Sequence, residues 1–583
     1  MLHTLTRSLR ENKGPALVTV LLSALEVVFE IVIPLFMSNL IDFGIEGGSM
    51  AAVWKFGAFL LLLAAFQLST GVLAARIAAR ASVGFAANLR EDMYNNVQTF
   101  AFSNIDKFST ASIVTRLTTD TTNVQNAFQM LMRMAIRAPV MLIFSMIVSF
   151  RISRDISMTF LIILPILALA LFFIIRSVFP VFSRVFRTYD ELNNVVQENV
   201  RGIRVVKSFN QERHEIGKFG AISERIYKDF SKGERLITLN APLMQFCIYT
   251  CMIVISWLGA KAIIASGNDP ALGLTTGNLT ALITYTMQIL SSLMMLSMVF
   301  AMLTISLSSA RRIAEVLEER SDIPQPEQPV MTVRDGAVDF DHVSFVYASK
   351  ADKKVLDDID LHIRSGETIG IIGGTGASKS SLVQLIPRLY DVTGGKLTLG
   401  GVDVRDYDLD TLRGAVAMVL QKNELFSGTI KENLRWGNEN ATDEQLRHAC
   451  KLACADGFIS AMPDGYDTHI EQGGTNVSGG QKQRLCIARA LLKKPKVLIL
   501  DDSTSAVDTR TDAQIQQAFS TYIPETTKII IAQRISSVQN ADRIVVLDDG
   551  HIDAVGCHDE LLRTCEIYRE VYESQQKGGE DDA

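Results

Sequence analysis

The chain has 583 residues, enough for several domains, and 48% of them are hydrophobic. The apolar residues are concentrated before residue 310, a distribution that excludes a wholly soluble protein and indicates a membrane-embedded first half. A formal net charge of −6 gives no indication of nucleic-acid binding, and we expect no nucleic-acid partner.

Six apolar segments occupy the first half. Each can cross the hydrocarbon core of a bilayer, because about 20 helical residues are long enough. The segments lie at roughly 15–41, 53–78, 134–152, 156–178, 242–266 and 279–305. The stretches at 79–133 and 179–241 keep helical spacing, so we expect the membrane helices to continue into the cytoplasm as two long hairpins.

The distribution of Lys and Arg in the loops predicts the orientation. The loops at 42–53 and 266–280 contain neither residue, whereas 79–133 and 179–241 contain many. The positive-inside rule therefore predicts that both termini lie in the cytoplasm. The short connection between the third and fourth segments, which is flanked by arginines, is the exception to this pattern.

Two acidic residues lie inside the first apolar segment. Glu26 and Glu30 are four residues apart and therefore share one face of a helix. Carboxylates are costly in hydrocarbon and usually face a cavity or a partner. Two interpretations stay open: they help to bind a cationic substrate, or they are protonated or paired with other helices.

A proline-rich stretch separates the two halves. Pro324, Pro326 and Pro329 prevent a helix from continuing through it. We therefore divide the chain into a transmembrane domain at 1–320, a linker at 321–334 and a cytoplasmic domain at 335–578. These bounds are expectations from composition.

A glycine-rich stretch in the second half has the pattern of a phosphate-binding loop. An apolar run over 368–372 predicts a strand before it, and the spacing of 381–386 predicts a helix after it. Backbone N–H groups of such a turn and the helix N-terminus bind phosphate. The pattern G-x-x-x-x-G-K-[ST] is met except that Ser378 replaces the second glycine. The predicted nucleotide-binding residues here are Gly373, Gly374, Thr375, Gly376, Ala377, Ser378, Lys379, Ser380 and Ser381.

Two further motifs support a nucleotide site. An apolar run ends in Asp501 and Asp502; we expect Asp501 and Ser380 to hold Mg²⁺, and Asp502 to polarise the attacking water. Lys379 is placed to reach the β- and γ-phosphates. A second glycine-rich helix start suits another phosphate contact. It comprises Ser478, Gly479, Gly480 and Gln481.

The order of these motifs resembles the ATP-binding-cassette (ABC) transporter family. The second half contains, in order, Walker A (373–380), Gln421, the signature (477–481), Walker B (497–502) and the tetrad at 505–508. The six-span half resembles the family's type IV exporter fold. The resemblance implies a membrane all-α domain of six spans with long cytoplasmic helical extensions, plus an α/β P-loop ABC nucleotide-binding domain.

The resemblance also implies roles for single residues. Tyr347 matches the aromatic side chain that stacks on adenine, and Gln421 matches the glutamine that contacts Mg²⁺ and senses the membrane domain. Glu471 matches the acidic residue of the loop before the signature. In this family two nucleotide domains pair head to tail, so each ATP lies between one Walker side and the opposite signature. ATP and Mg²⁺ are the implied cofactors.

Three positions depart from the family pattern, all on the Walker side. Ser378 replaces a glycine, Asp502 replaces the catalytic glutamate, and Gln533 replaces the switch histidine. Asp502 is one methylene shorter than glutamate, and a misplacement of about 1 Å can cost about 10²-fold in rate. Gln533 cannot carry the proton chemistry of an imidazole. We therefore expect ATP binding to survive and hydrolysis at this site to be slow.

These departures predict one half of a heterodimeric ABC exporter. Its Walker motifs form a degenerate ATP site, and its signature completes the hydrolytic site of a partner half-transporter with an intact Walker B glutamate and switch histidine. The expected activity is ATP-driven export of a small hydrophobic or amphipathic substrate across the lipid bilayer, in a bacterial plasma membrane with the nucleotide domain in the cytoplasm. Two alternatives stay open: an exporter-fold importer of a siderophore-like ligand, and an ATP-binding regulatory subunit.

Overall fold

The structure is a computed structural model that describes residues 1–269, 273–347, 354–374, 376–502 and 507–580. Three residues of the predicted motifs, Thr375, Ser505 and Ala506, lie outside the described residues.

The described residues of the chain up to Glu318 are mainly helical. Its helices in this part are α1 (Leu2–Arg7), α2 (Lys13–Asn39), α3 (Met50–Gln98), α4 (Phe102–Phe108), α5 (Thr110–Thr115), α6 (Thr121–Ile152), α7 (Arg154–Arg201), α8 (Ile203–Ser208), α9 (Glu212–Thr238), α10 (Asn240–Ser266) and α11 (Thr276–Glu318). Two π-helical segments, Leu40–Glu46 and Arg116–Asp120, continue α2 and precede α6.

The described residues contain six helical stretches that are long and apolar enough to cross a membrane. They are Arg10–Glu46, Met50–Gln98, Thr110–Ile152, Arg154–Arg201, Glu212–Ser266 and Thr276–Glu318. Each contains one of the six predicted spans, so that prediction is confirmed. The 49 residues of α3 measure about 73 Å at 1.5 Å per residue, well beyond a hydrocarbon core of about 30 Å. This helix therefore continues outside the bilayer, as expected.

The two compact units of the chain interleave in sequence. The first comprises Met1–Gln98 and Thr110–Glu319, and the second comprises Thr99–Ser109 and the chain from Arg320 onward. The short helix α4 therefore belongs to the second unit, although the helices α3 and α5 on either side of it in the chain belong to the first.

A hydrogen-bonded cap starts helix α11 in the first unit. Thr275 accepts a hydrogen bond from the Asn278 N–H at 3.2 Å. The Asp42 carboxylate accepts from the Gly277 N–H at 2.8 Å and from the Thr275 hydroxyl at 2.7 Å. An acidic group at a helix N-terminus also interacts favourably with the helix dipole. This contact ties α11 to the segment that follows α2.

The two acidic residues of α2 share one cation in the first unit. Arg137 of α6 lies 2.7 Å from Glu26 Oε1 and 2.7 Å from Glu30 Oε2. Glu26 is only 8% exposed. Because an unpaired carboxylate is costly in this environment, the guanidinium stabilises both carboxylates. The structure thus contains the helix-to-helix pairing that one of the two interpretations anticipated.

The second unit holds the α/β domain. Its strands are β1 (Val338–Phe345), β2 (Leu356–Ile363), β3 (Thr368–Gly373), β4 (Gly394–Leu399), β5 (Val402–Asp403), β6 (Val416–Val419), β7 (Gly428–Thr429), β8 (His469–Ile470), β9 (Val497–Asp501), β10 (Thr527–Ile531), β11 (Arg543–Asp548) and β12 (His551–Gly556). Its helices beyond α4 are α12 (Lys379–Leu385), α13 (Leu409–Ala415), α14 (Ile430–Arg435), α15 (Asp443–Leu452), α16 (Asp456–Ser460), α17 (Gly479–Leu492), α18 (Thr509–Tyr522), α19 (His558–Thr564) and α20 (Glu566–Glu580).

Within the described residues, the main sheet has six strands in the order β12-β11-β3-β10-β9-β6. The strands β11, β3, β10, β9 and β6 pair in parallel, and β12 is an antiparallel edge. Strands β9 and β10 are buried along their whole length, as continuous apolar runs in a parallel sheet should be. The predicted strand over 368–372 is confirmed as β3, and the predicted helix after the loop as α12.

An antiparallel sheet, β2-β1-β4-β5, packs its apolar face into the core that surrounds β3. The α4 segment of the second unit contacts Tyr390, which follows α12. The Phe102 ring lies edge-on to the Tyr390 ring, with centroids 6.0 Å apart. The Tyr390 hydroxyl donates to Asp106 Oδ2 at 2.9 Å. These contacts explain why α4 groups with the α/β domain.

Candidate nucleotide-binding site

The candidate site lies where four parallel strands end at one edge of the main sheet. The phosphate-binding loop follows β3, and the residues after β10, β9 and β6 flank it. The carboxyl ends of parallel strands meet at the same edge, which is where α/β proteins bind ligands. Gln533, Asp502 and Gln421 each lie within two residues of the end of their strand. The topology therefore brings together side chains that are far apart in sequence.

A cavity of about 570 Å³ opens at this edge, within the size range of small-molecule sites. Its lining includes all three positions that depart from the family pattern, Ser378, Asp502 and Gln533. The other described lining residues are Val355, Gly373, Gly374, Gly376, Ala377, Lys379, Ser380, Ser381, Gln421, Asp501 and Ile531.

The phosphate-binding loop adopts a backbone conformation that favours glycine at position 378. Ser378 has φ +65° and ψ +21°, in the left-handed region. A side chain there costs roughly 1–2 kcal/mol because its Cβ crowds the following carbonyl. Ser378 therefore occupies a backbone conformation that glycine adopts without this cost. Gly376 in the same loop has φ +89°.

Lys379 is held inside the loop by backbone carbonyls. Its Nζ donates to Gly373 O and to Gly374 O, both at 2.8 Å. Burial lowers the pKa of this ammonium, and the nearby carboxylates of Asp501 and Asp502 oppose that shift. A partly desolvated cation in a loop of backbone N–H groups is suited to binding phosphate.

Three oxygen-bearing side chains fit a Mg²⁺ site. The Ser380 hydroxyl donates to Asp501 Oδ1 at 3.0 Å, and Gln421 lines the same cavity. Hydroxyl, carboxylate and amide oxygens are the hard donors that Mg²⁺ prefers. Burial raises the pKa of Asp501, and the hydrogen bond from Ser380 opposes the rise. When bound, Mg²⁺ would neutralise phosphate charge beside these residues.

Two side-chain amides hold the Asp502 carboxylate. Gln533 Nε2 donates to Asp502 Oδ2 at 2.7 Å, and Gln421 Nε2 donates to the same oxygen at 3.4 Å. The Asp502 backbone has φ +48°, and its N–H donates to Ile531 O at 2.9 Å. Burial raises the pKa of Asp502, and the two amide hydrogen bonds oppose that rise. One oxygen of the Asp502 carboxylate is thus already engaged by two neutral donors.

Tyr347 lies beside the cavity and is not among its described lining residues. Its hydroxyl is 2.7 Å from the Ser381 hydroxyl, which does line the cavity. The ring contacts Phe345 and Tyr390 edge-on, with centroids 4.8 and 5.1 Å away. Tyr347 is 45% exposed, so part of the ring remains available for stacking.

The signature residues form the start of helix α17, apart from the Walker side of the same chain. Ser478 caps the helix: its hydroxyl accepts from the Gln481 N–H at 3.3 Å, and the Gln481 side chain accepts from the Ser478 N–H at 3.0 Å. This is a capping box. Ser478 and Gly479 are exposed, and Gly480 and Gln481 are half-buried. None of the four is among the described residues that line the cavity.

Sequence reasoning missed a residue that contacts the candidate switch position. Gln575 of α20 donates from Nε2 to Gln533 O at 2.8 Å and accepts from the Ile535 N–H at 2.9 Å. Gln575 lies 42 positions after Gln533, in a helix without a recognisable motif. Only the tertiary structure places it there.

The fold and the site define a protein with a membrane domain and a nucleotide-binding domain, and comparisons with known proteins agree. Residues 16–294 match the family model for the ABC transporter transmembrane region, and residues 356–505 match the ABC transporter family model. The chain therefore belongs to the ABC transporter family and is an integral membrane protein.

Several relatives match along nearly their whole length. The chain is 35% identical over 558 residues to the uncharacterized ABC transporter ATP-binding protein YfiB of Bacillus subtilis (strain 168), covering 96% of both chains. It is 32% identical over 580 residues to the uncharacterized ABC transporter ATP-binding protein Rv1273c of Mycobacterium tuberculosis (strain ATCC 25618 / H37Rv), covering 99% and 98%. It is 31% identical over 527 residues to the ATP-dependent lipid A-core flippase of Desulfotalea psychrophila (strain LSv54 / DSM 12343), covering 88% and 89%.

A solved structure shares the fold. The structure of a bacterial Atm1-family ABC exporter with ATP bound superposes with a TM-score of 0.82 over 97% of this chain and 99% of that chain. At 23% identity this match identifies the exporter fold alone. The expected fold class, six membrane helices followed by an α/β nucleotide-binding domain, is confirmed.

Proposed function

We propose that this chain is one half of a heterodimeric ABC exporter and that its own Walker motifs form a slow, degenerate ATP site. The observation that carries the proposal is that Ser378, Asp502 and Gln533 line one cavity. Three unfavourable substitutions at a single catalytic centre reduce one activity together, whereas unrelated changes would fall on different parts of the domain.

At this site we expect ATP binding to persist. Lys379 remains placed for the β- and γ-phosphates, and Ser380 and Asp501 remain available for Mg²⁺. Tyr347 keeps a partly exposed ring for the adenine. Hydrolysis is slow because the short Asp502 carboxylate accepts hydrogen bonds from two neutral amides and is poorly placed to polarise water.

The signature of this chain serves the partner. Ser478 and Gly479 are exposed at the N-terminus of a 14-residue helix, where N–H groups and the helix dipole favour a phosphate. The partner half-transporter supplies a Walker B glutamate and a switch histidine. Turnover of the complex thus depends on the signature of this chain more than on Asp502.

The transport cycle follows from this assignment. ATP binding closes the two nucleotide domains, and the long helices that leave the membrane carry the closure to the spans. A small hydrophobic or amphipathic substrate is exported, as in multidrug efflux; the name of the lipid A-core flippase relative supports a lipid-like one. The protein resides in a bacterial plasma membrane, with both termini and the ATPase domain (335–578) in the cytoplasm, beyond the membrane domain (1–320) and the linker (321–334).

The decisive comparison uses two variants of this chain in the reconstituted complex with its partner. Asp502→Asn should reduce steady-state ATPase by less than about twofold, because that site already contributes little. Ser478→Ala should reduce it by about tenfold or more, because the partner's hydrolytic site loses a phosphate contact. Equal losses from the two variants would contradict the proposal.

A matched control separates the phosphate contact from helix capping. Thr442 caps α15 through the same capping box, with the Gln445 N–H at 3.3 Å from its hydroxyl. Thr442→Ala therefore removes an N-cap with a similar contribution to stability, about 1 kcal/mol. It should leave the ATPase activity unchanged. Transport into inside-out vesicles gives the direction: ATP-driven accumulation in the lumen means export, and ATP-driven depletion contradicts it.

A further inference from the structure

We propose that Gln575, in the C-terminal helix α20, is a positioning residue that fixes the backbone of the segment 533–535, here called the switch loop. This inference rests on the role proposed for Gln533. It adds a second residue, which lies on a different element of the fold and acts through the main chain of the switch loop.

The side-chain amide of Gln575 bridges two backbone groups of the switch loop. Its Nε2 donates to Gln533 O at 2.8 Å, and its Oε1 accepts from the Ile535 N–H at 2.9 Å. Strand β10 has ended at Ile531, so the sheet ladder does not reach these groups. Main-chain donors and acceptors need hydrogen-bond partners. The side-chain amide of Gln575 supplies one for each of these two groups, in place of the hydrogen bonds of a sheet.

A buried side chain anchors the N-terminal part of helix α20, the helix that carries Gln575. Tyr568, on the same helix, is fully buried, and its hydroxyl is 2.7 Å from His558 Nδ1. Gln575 lies seven residues further along, which is about two helical turns and therefore the same face. The buried end of α20 thus holds the amide in position over the switch loop.

The bridge reaches the catalytic centre in one further step. The side chain of Gln533 donates to Asp502 Oδ2 at 2.7 Å, and its own backbone carbonyl is the group that Gln575 holds. Without the hydrogen bond from Gln575, the backbone at Gln533 can move. The side-chain amide of Gln533 then no longer stays at one distance from Asp502 Oδ2. Because Gln575 is not among the described residues that line the cavity, its loss should alter hydrolysis and leave ATP affinity unchanged.

The test compares Gln575→Ala with Gln576→Ala in the full chain, reconstituted in lipid nanodiscs with a partner whose Walker B glutamate is replaced by glutamine. Gln576 is the neighbouring residue of the same type, and it donates to the Tyr572 hydroxyl at 2.8 Å, on its own helix. Both variants are also made together with Asp502→Glu and Gln533→His. That background keeps the backbone carbonyl that Gln575 holds and gives a measurable hydrolysis rate.

Two readouts are combined. The first is hydrogen exchange of the Ile535 amide, which should accelerate by about tenfold in Gln575→Ala and stay unchanged in Gln576→Ala. The second is steady-state hydrolysis of Mg-ATP, which should fall about fivefold in kcat with KM within twofold. Gln575→Glu keeps the acceptor for Ile535 and should give an intermediate exchange rate.

The outcomes separate this inference from the proposed function. Unchanged exchange, or faster exchange with unchanged kcat in the Asp502→Glu and Gln533→His background, overturns the positioning role. Loss of ATP binding together with a lower melting temperature also overturns it, because the role is then merely structural. If the unaltered chain alone hydrolyses ATP rapidly, the degenerate site is refuted, and the exchange and kcat readouts are then taken in that chain and still decide the role of Gln575.

Discussion

Restoring the two substituted catalytic side chains should activate the Walker site of this chain. In the variant Asp502→Glu with Gln533→His, the carboxylate extends by one methylene into the cavity, and an imidazole replaces the amide that donates to Asp502 Oδ2 at 2.7 Å. A correction of about 1 Å in the position of a catalytic group is worth up to about 10²-fold in rate. We therefore expect hydrolysis by the double variant to exceed that of the unaltered chain by about 10- to 10²-fold.

The assay is single-turnover hydrolysis of Mg-ATP by the full chain, reconstituted in lipid nanodiscs with a partner whose Walker B glutamate is replaced by glutamine. Measuring ATP affinity in parallel separates chemistry from binding, because Lys379 and Asp501 are unchanged in the double variant. Adding Lys379→Ala removes the cation that two backbone carbonyls hold in the loop, and it should abolish the gain. A double variant that binds ATP normally and hydrolyses it no faster than the unaltered chain would refute the reasoning.

Three other predictions concern the loop, the pH dependence and the membrane helices. Ser378→Gly should stabilise the nucleotide domain by about 1 kcal/mol in denaturant unfolding, because it relieves a left-handed serine. Burial raises the pKa of Asp502 above its usual value, and only the ionised carboxylate can polarise water. Hydrolysis should therefore fall, as pH decreases, at a higher pH than for an ordinary aspartate, and Asp502→Asn should remove this step from the pH–rate profile. Arg137→Ala leaves Glu26 and Glu30 without their shared cation and should destabilise the membrane domain by about 3–5 kcal/mol in thermal or denaturant unfolding; Glu30→Gln, which leaves one matched pair, should cost less.

The sequence predicts most of the fold because its signals are local and strong. The six apolar segments required only length and hydropathy, and each lies inside one long helix. Strand β3 and helix α12 were predicted from an apolar run and a glycine-rich turn. The helix bounds differ from the prediction: α12 begins two residues before the predicted helix, at Lys379, because Ser378 in a left-handed conformation starts it.

The candidate site was predicted only in part, for physical reasons. Ser378, Asp502 and Gln533 were each recognised from a short motif, but their convergence on one cavity depends on the order of parallel strands. The amide hydrogen bonds on Asp502 depend on side-chain geometry that no spacing encodes. The bridge from Gln575 joins two segments that share no local pattern.

The pairing of the intramembrane carboxylates shows the same limit. The spacing of Glu26 and Glu30 indicates that they share a helix face, but it cannot identify what faces them. Arg137 lies 107 positions after Glu30 in the chain, and no local sequence pattern links the two residues. Spacing alone therefore leaves two interpretations open, and the packing of α2 against α6 supplies Arg137 as a partner.

We propose that this chain holds ATP at its Walker site while its signature supports hydrolysis by a partner. The most direct measurement is photolabelling of the reconstituted complex with radiolabelled 8-azido-ATP after turnover with Mg²⁺ and vanadate, followed by separation of the two chains and analysis of the nucleotide on each. We expect ATP on this chain and ADP on the partner. ADP on this chain, in an amount equal to that on the partner, would contradict it.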